Sequence, residues 1–213
     1  MNITLDQLMP VPLASIKHGA DSVWGNQIEL IAGRRILLNA SSGKGKSTFT
    51  TTVYGLRHDY EGTLKYGEED ISKFSPDQWT DIRKRQVSAV FQDLQLFPKL
   101  TLGENLILKN SLTDTYTESE LKKFLEQLEM DHRWEQRCGL LSMGQQQRVA
   151  IIRALAQPFE WLLMDEPFSH LDVANAKLCM DLIHKRTVEQ NAGFVLTTLG
   201  DSHGYQFDQE LKL

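Results

Sequence analysis

The residues with the most chemical content fall into three clusters along the 213-residue chain. The first is Ala40-Ser41-Ser42-Gly43-Lys44-Gly45-Lys46-Ser47-Thr48, behind the apolar run Arg35-Ile36-Leu37-Leu38-Asn39. A strand feeding a glycine-rich turn and then a helix points backbone N–H groups inward as an anion nest. The helix N-terminus adds unpaired donors and positive potential. Ser42, Gly43, Lys44, Gly45, Lys46, Ser47 and Thr48 are therefore candidate contacts to a nucleotide triphosphate. Lys46 has the reach for the β and γ phosphates, and the Ser47 hydroxyl suits Mg2+. Gly43 and Gly45 allow backbone angles and a close phosphate approach that a side chain would obstruct. Ala40 stands where this pattern usually has its first glycine, which is tolerable if the residue keeps ordinary extended angles. Taken alone, the segment also reads as a lysine-bearing surface turn.

The second cluster answers that objection. Trp161-Leu162-Leu163-Met164-Asp165-Glu166-Pro167 reads as a buried strand ending in two carboxylates. A charge at the end of such a strand needs a partner, because unpaired burial is costly. For Asp165 the natural partner is magnesium beside Ser47. Glu166 is placed to act as general base on an attacking water. Pro167 ends the strand because it supplies no N–H to the ladder.

The third cluster, Leu141-Ser142-Met143-Gly144-Gln145, precedes Gln146-Gln147-Arg148-Val149-Ala150. A serine before a helix caps it. Gly144 allows close approach to an incoming phosphate, which the helix dipole favours. An ordinary capped amphipathic helix is the plainer reading of the segment by itself, with Val149, Ile152, Leu155 and Ala156 on its core face.

In this order the clusters resemble the nucleotide-binding subunit of an ABC transporter, over roughly residues 25–200. Leu141 to Gln145 matches that family's signature, and Gln92 in Val90-Phe91-Gln92-Asp93 matches its Q-loop glutamine. Asp172 in Ser169-His170-Leu171-Asp172 matches its D-loop aspartate. The resemblance implies ATP and Mg2+ as ligands, with Ser47, Gln92 and Asp165 on the metal and Glu166 and Gln92 at the attacking water. It also implies a head-to-tail pair of ATP-binding subunits, as a homodimer or a mixed pair. Ser142, Gly144 and Gln145 of one subunit, joined by Asp172, would then close over the nucleotide of the other. An integral membrane permease-like partner is implied too, placing the chain on the cytoplasmic face of the membrane. The stretch from Gln92-Asp93-Leu94 to Glu104-Asn105 is closest to the lipoprotein-release, macrolide-export and cell-division branch. Within it, Leu94, Leu96 and Phe97 suit either a surface for the membrane partner or a local helical core.

The chain departs from the family pattern at two places. Leu199, after Thr197-Thr198, occupies the position of the family's γ-phosphate histidine, and leucine neither donates nor accepts a hydrogen bond. Slow hydrolysis, or an ATP-dependent switch, is the corresponding alternative to a fast motor. His203 is a candidate substitute or simply a tail histidine. No aromatic residue occurs before Val23 to stack on adenine, so Trp24 is the nearby candidate unless it packs beneath the early strands.

The resemblance implies one α/β domain over residues 1–213, with a P-loop NTPase core, an antiparallel β subdomain and an inserted helical signature subdomain at approximately 93–145, and length and composition agree with a single globular domain. The apolar fraction is 41% and the charged fraction 24%, as in soluble globular chains. A net charge of −5 gives no electrostatic support to an ABC-type ATPase acting on nucleic acid or ribosomes, and no specific nucleic acid is expected. Cys138 and Cys179 lack metal-ligand spacing. No signal-like N-terminus or membrane-length apolar run is present. Helices are expected over 47–57, 118–130, 145–155 and 173–190, strands at 28–31, 36–38, 87–92 and 194–199, small strands and turns over 62–90, and a short tail after Gly200.

Overall fold

The computed structural model describes residues 1–200 and 204–213. His203, the candidate substitute for the missing histidine, lies outside the described residues. Two sheets organise the rest. A parallel sheet has the order β6-β7-β8-β3-β9, formed by Val87–Val90, Trp161–Asp165, Gly193–Thr198, Arg35–Asn39 and Gln209–Lys212. An antiparallel sheet has the order β2-β1-β4-β5, from Gln27–Leu30, Ile3–Pro10, Tyr60–Tyr66 and Glu69–Asp70. The helices are α1 (Lys46–Val53), α2 (Pro76–Arg85), α3 (Leu102–Asn110), α4 (Glu118–Gln127), α5 (Met143–Leu155) and α6 (Val173–Gln190).

Strand alternation divides the core. Successive side chains of a strand point to opposite faces. Ile36 and Leu38 of β3, Trp161 and Leu163 of β7, and Val195 of β8 pack with the antiparallel sheet, α1 and α2. Leu37, Leu162, Met164, Phe194 and Leu196 face the other way, into a cluster built on the helical side. Both faces of the parallel sheet are thus buried, which is why its strands read as continuous apolar runs. Val149, Ile152, Leu155 and Ala156 are all fully buried, as the helical pattern of the signature segment implies. Leu121, Phe124, Leu125 and Leu128 are buried as well.

Several local expectations change. α1 stops at Val53 instead of continuing to 57. Gly55 has φ +73°, and a Cβ there would lie 2.0 Å from the Trp79 ring, so the chain turns where an aromatic seals the end. Trp79 belongs to α2, a helix in a stretch read as small strands and turns. Its start is built by Ser75, which accepts from Gln78 N–H while the Gln78 side chain accepts from Ser75 N–H, with proline in the first turn. The tail does not end the fold either. β9 joins the parallel sheet beside β3, and Asp208 holds the Arg35 guanidinium at 2.8 Å.

Candidate functional site

The loops after β3, β6, β7 and β8 leave the same edge of the parallel sheet, the edge where ligands bind in open α/β sheets. Ala40 N–H donates to Thr198 O at 3.3 Å. Ala40 is not among the left-handed residues, so its side chain is tolerated where a glycine is usual. Gly43 has φ +78° with open space where a side chain would stand. Gly45 has φ +104°, and a Cβ there would come within 2.5 Å of Leu13. Gly45 caps α1 without any side-chain hydrogen bond, so no side chain competes for the donors of the first turn. The Lys46 ammonium is buried and folded back along the loop, 2.9 Å from Ala40 O and 3.3 Å from Ser41 O. It also lies 3.3 Å from Glu166 Oε1.

Asp165, only 2% exposed, ends β7. Burial pushes its carboxyl above the ordinary aspartate value, and the hydroxyls of Ser47 and Thr197 work against that shift. Thr197 clamps both acidic residues. Its hydroxyl donates to Asp165 Oδ1 at 2.9 Å and accepts from Glu166 N–H at 3.2 Å. Glu166 sits at φ +47°, a left-handed conformation unusual for a residue bearing a side chain. Ser47 Oγ donates to Gln92 Oε1 at 3.4 Å. Ser47, Gln92, Asp93 and Asp165 together line a cavity of about 760 Å³.

Hydroxyl, amide and carboxylate oxygens converging here fit Mg2+, which takes oxygen ligands and shares them with substrate phosphates. Among the described residues no group of three or more His, Cys, Asp or Glu side chains forms a metal cage.

The signature segment stands apart. Ser142 caps α5, accepting from Gln145 N–H at 3.3 Å, while Gln145 Oε1 accepts from Ser142 N–H at 3.0 Å. Asp172 caps α6 by accepting from Asn175 N–H at 2.8 Å, which holds its carboxyl below the usual range. A Cβ on Gly144 would lie 2.8 Å from His170 O, so the signature and the 169–172 loop pack backbone to backbone. Lys46, Ser47, Gln92, Asp165 and Glu166 are therefore gathered in one place. Ser142, Gly144, Gln145 and Asp172 line neither the large cavity nor the smaller one beside Glu166.

Trp24 is not a stacking platform. It is 2% exposed, its ring centroid lies 6.2 Å from that of Phe49, and its indole N–H donates to Lys44 O at 3.3 Å. It supports the phosphate loop from beneath, beside the buried Leu13. The apolar stretch after Gln92 divides: Leu94 is buried and Leu96 packs on the core, while Phe97 is 51% exposed. Two contributors escaped sequence reasoning. Thr197 was legible only as a strand residue before the position of Leu199. Gln147 is buried, and both ends of its amide hold the loop after Glu166: Nε2 donates to Ser169 Oγ at 2.8 Å and Oε1 accepts from His170 N–H at 2.9 Å.

A sequence model of the ABC transporter family matches residues 25–169, spanning the phosphate loop, the signature and both carboxylates. The chain belongs to the ABC transporter family. It is 30% identical to the lipoprotein-releasing system ATP-binding protein LolD of Leptospira interrogans, over 84% of this chain and 76% of that protein. The LolD protein of Pseudomonas syringae is also 30% identical, over 93% of this chain and 90% of its own length. The dimeric structure of the ABC transporter cassette MJ0796 superimposes with a TM-score of 0.84 at 25% identity, covering 99% of this chain and 94% of that one. A post-hydrolysis dimer of the same cassette bound to ADP and Pi gives 0.81 at 25% identity, covering 98% and 96%. The protein is an ATP-binding and ATP-hydrolysing ABC transporter subunit with a P-loop NTPase core. No helix among the described residues is long and apolar enough to cross a membrane.

Proposed function

We propose that this ABC subunit binds Mg-ATP through Lys46, Ser47, Gln92 and Asp165 and hydrolyses it with Glu166 as general base, inside a site shared by two subunits. The observation that carries the reading is the convergence of Ser47, Gln92 and Asp165 on one cavity, with the Lys46 ammonium 3.3 Å from Glu166. Ser42 to Thr48 supply backbone and side-chain donors to the phosphates. Lys46 exchanges its present carbonyl contacts for phosphate oxygens. Ser47, Gln92 and Asp165 would hold Mg2+, which supplies charge neutralisation to the triphosphate. Glu166 takes a proton from the attacking water, and Thr197 keeps Glu166 and Asp165 in register. Ser142, Gly144 and Gln145 of a second subunit complete the site from the far side, with Asp172 at the junction.

Residues 1–213 then act as one ATP-binding domain whose helical part, approximately 93–145, carries the signature. The exposed Phe97 beside the Gln92 loop is a surface for an integral membrane permease-like partner, and that partner holds the chain on the cytoplasmic side of the membrane. Likeness to LolD points to lipoprotein release as the transport class. Leu199 beside Glu166 favours slow turnover, so ATP-driven closure of the pair is the longer-lived event.

The test is single-turnover phosphate release with and without Glu166→Gln. The variant is expected to keep ATP binding and lose phosphate release by about 10²–10⁴-fold, the usual range for a general base. Unchanged release would remove Glu166 from the chemistry.

A further inference from the structure

Beside Glu166, Leu199 stands at the position where the family's γ-phosphate histidine is expected. A cavity of about 220 Å³ there is lined by Glu166, Pro167, Phe168, Ser169, Leu196, Thr197, Thr198 and Leu199. Leu199 is 64% exposed. Apart from the Glu166 carboxylate, the lining side chains are apolar or hydroxyl-bearing, and none is an imidazole. A water attacking a phosphate is steered best by a second polar group facing the base, and leucine provides none.

One imidazole in the chain is held ready and unused. His170 is exposed, and its ring makes no hydrogen bond or ion pair among the described residues. Its backbone, by contrast, is tightly fixed. Gln147, 1% exposed, commits both ends of its amide to Ser169 and His170. Ser169 N–H donates to Glu166 O at 3.3 Å and Leu171 N–H to Phe168 O at 3.0 Å. A buried amide spent on holding an exposed loop is costly unless fully paired, as it is here. His170 does not line the cavity of its own Glu166. Its carbonyl instead stands 2.8 Å from the Cβ position of Gly144. The imidazole therefore travels with the signature.

We infer that His170 acts in trans: the imidazole of one subunit enters the Glu166 site of the other and takes the water-positioning place that Leu199 leaves empty. The inference rests on the shared-site reading above. If the signature of one subunit closes over the other's γ phosphate, the residue packed against Gly144 is delivered to that site as well. There the imidazole meets the γ-phosphate oxygens or the attacking water as hydrogen-bond donor, while Glu166 remains the base.

Mixing variants tests the direction of action. His170→Ala alone is expected to slow single-turnover phosphate release by roughly tenfold or more, with its melting temperature unchanged because the side chain is exposed. Glu166→Gln alone releases almost none. In a mixed dimer of the two, one site keeps its own Glu166 and receives His170 from its neighbour. Phosphate release should therefore reappear in the mixture, at the wild-type rate for the fraction of sites so composed. Leu199→His added to His170→Ala should restore the rate within one chain. A mixture no faster than its components, or a His170→Ala homodimer as fast as wild type, overturns the inference. A parallel mixture of Glu166→Gln with Ser142→Arg separates the two levels. Recovery there but not with His170→Ala leaves the shared site standing and rejects His170. Recovery in neither rejects the shared site itself.

Discussion

The phosphate loop and the signature are both helix N-termini, yet they are finished in opposite ways. α1 begins at a left-handed glycine with no side-chain cap, and its lysine lies folded over neighbouring carbonyls. α5 begins at a serine whose cap is reciprocated by Gln145, so both partners are already satisfied. The first end keeps backbone donors open for a polyanion. The second spends the Ser142 and Gln145 N–H groups on its own cap and leaves the Met143 and Gly144 N–H groups and the Ser142 hydroxyl proton to face outward, because a hydroxyl can accept on one side while donating on the other. The first is backed by a buried strand and a buried carboxylate, and the second stands on the exposed start of a helix packed against a loop. A helix N-terminus is thus not one kind of site. What the capping residue does decides how many donors are left free, and under the proposed shared site the first end grips the nucleotide while the second assists a neighbour that holds one.

Breaking the gripping end should cost most. Lys46→Ala removes a buried cation aimed along the loop, and ATP affinity should fall by roughly 2–5 kcal/mol, the range for truncating a buried charge partner. Isothermal titration of the single chain would measure it, and unchanged affinity would mean that the loop does not grip. At the assisting end, Gly144→Ala puts a methyl group 2.8 Å from a backbone oxygen that cannot swing aside. A loss of about 1–3 kcal/mol in unfolding free energy follows from overpacking of this kind, read from the urea midpoint, while ATP binding to the single chain stays as it was. Ser142→Ala sharpens the contrast further. Loss of the cap should cost about 1 kcal/mol, again with no change in binding by the isolated subunit; a matching drop in that binding would erase the distinction between the ends.

The smallest effect concerns the base of β3, which feeds the gripping loop. Asp208 accepts from the Arg35 guanidinium and backbone N–H, and those contacts hold its carboxyl well below the usual aspartate range. A depressed carboxylate contributes stability that is fully present above the unfolded pKa of about 4 and is lost as pH falls through the folded value. Asp208→Asn should lower stability at pH 7 by about 1 kcal/mol or less for a partly solvated pair. The difference from wild type should shrink in denaturant titrations as the buffer is taken below about pH 4.

Motifs were legible where chemistry forces residue type and spacing together. Lys46-Ser47, Asp165-Glu166 and the Ser142 cap depend on chain-local geometry, so their sequence carries them. α2 was missed because only Trp79 and Ile82 of its residues are buried, too few to set a helical period, although Ser75, Pro76 and Gln78 spelled out its start. β9 was missed because a short strand at the edge of a sheet is specified by its partner, here β3, and by the Arg35–Asp208 tie across the chain. Trp24 could be counted but not placed: exposure is a tertiary property, and the space beneath the phosphate loop exists only once Phe49 and Leu13 arrive there. Gln147 and Thr197 were invisible as site residues because each acts through a partner distant in sequence.

Glu166 adopts its left-handed backbone at a site where glycine would be more at ease. Such a conformation costs on the order of 1 kcal/mol or more for a residue with a side chain. Under the proposed role of Glu166 as general base, the same carboxylate is also a standing liability to the fold. Selection for thermal robustness alone would drift this position toward glycine and, under the proposed role of Glu166, yield a sturdier protein that no longer hydrolyses ATP. On that reading, hardening this cassette by selection for stability has to hold Glu166 fixed, since durability and work pull in opposite directions there.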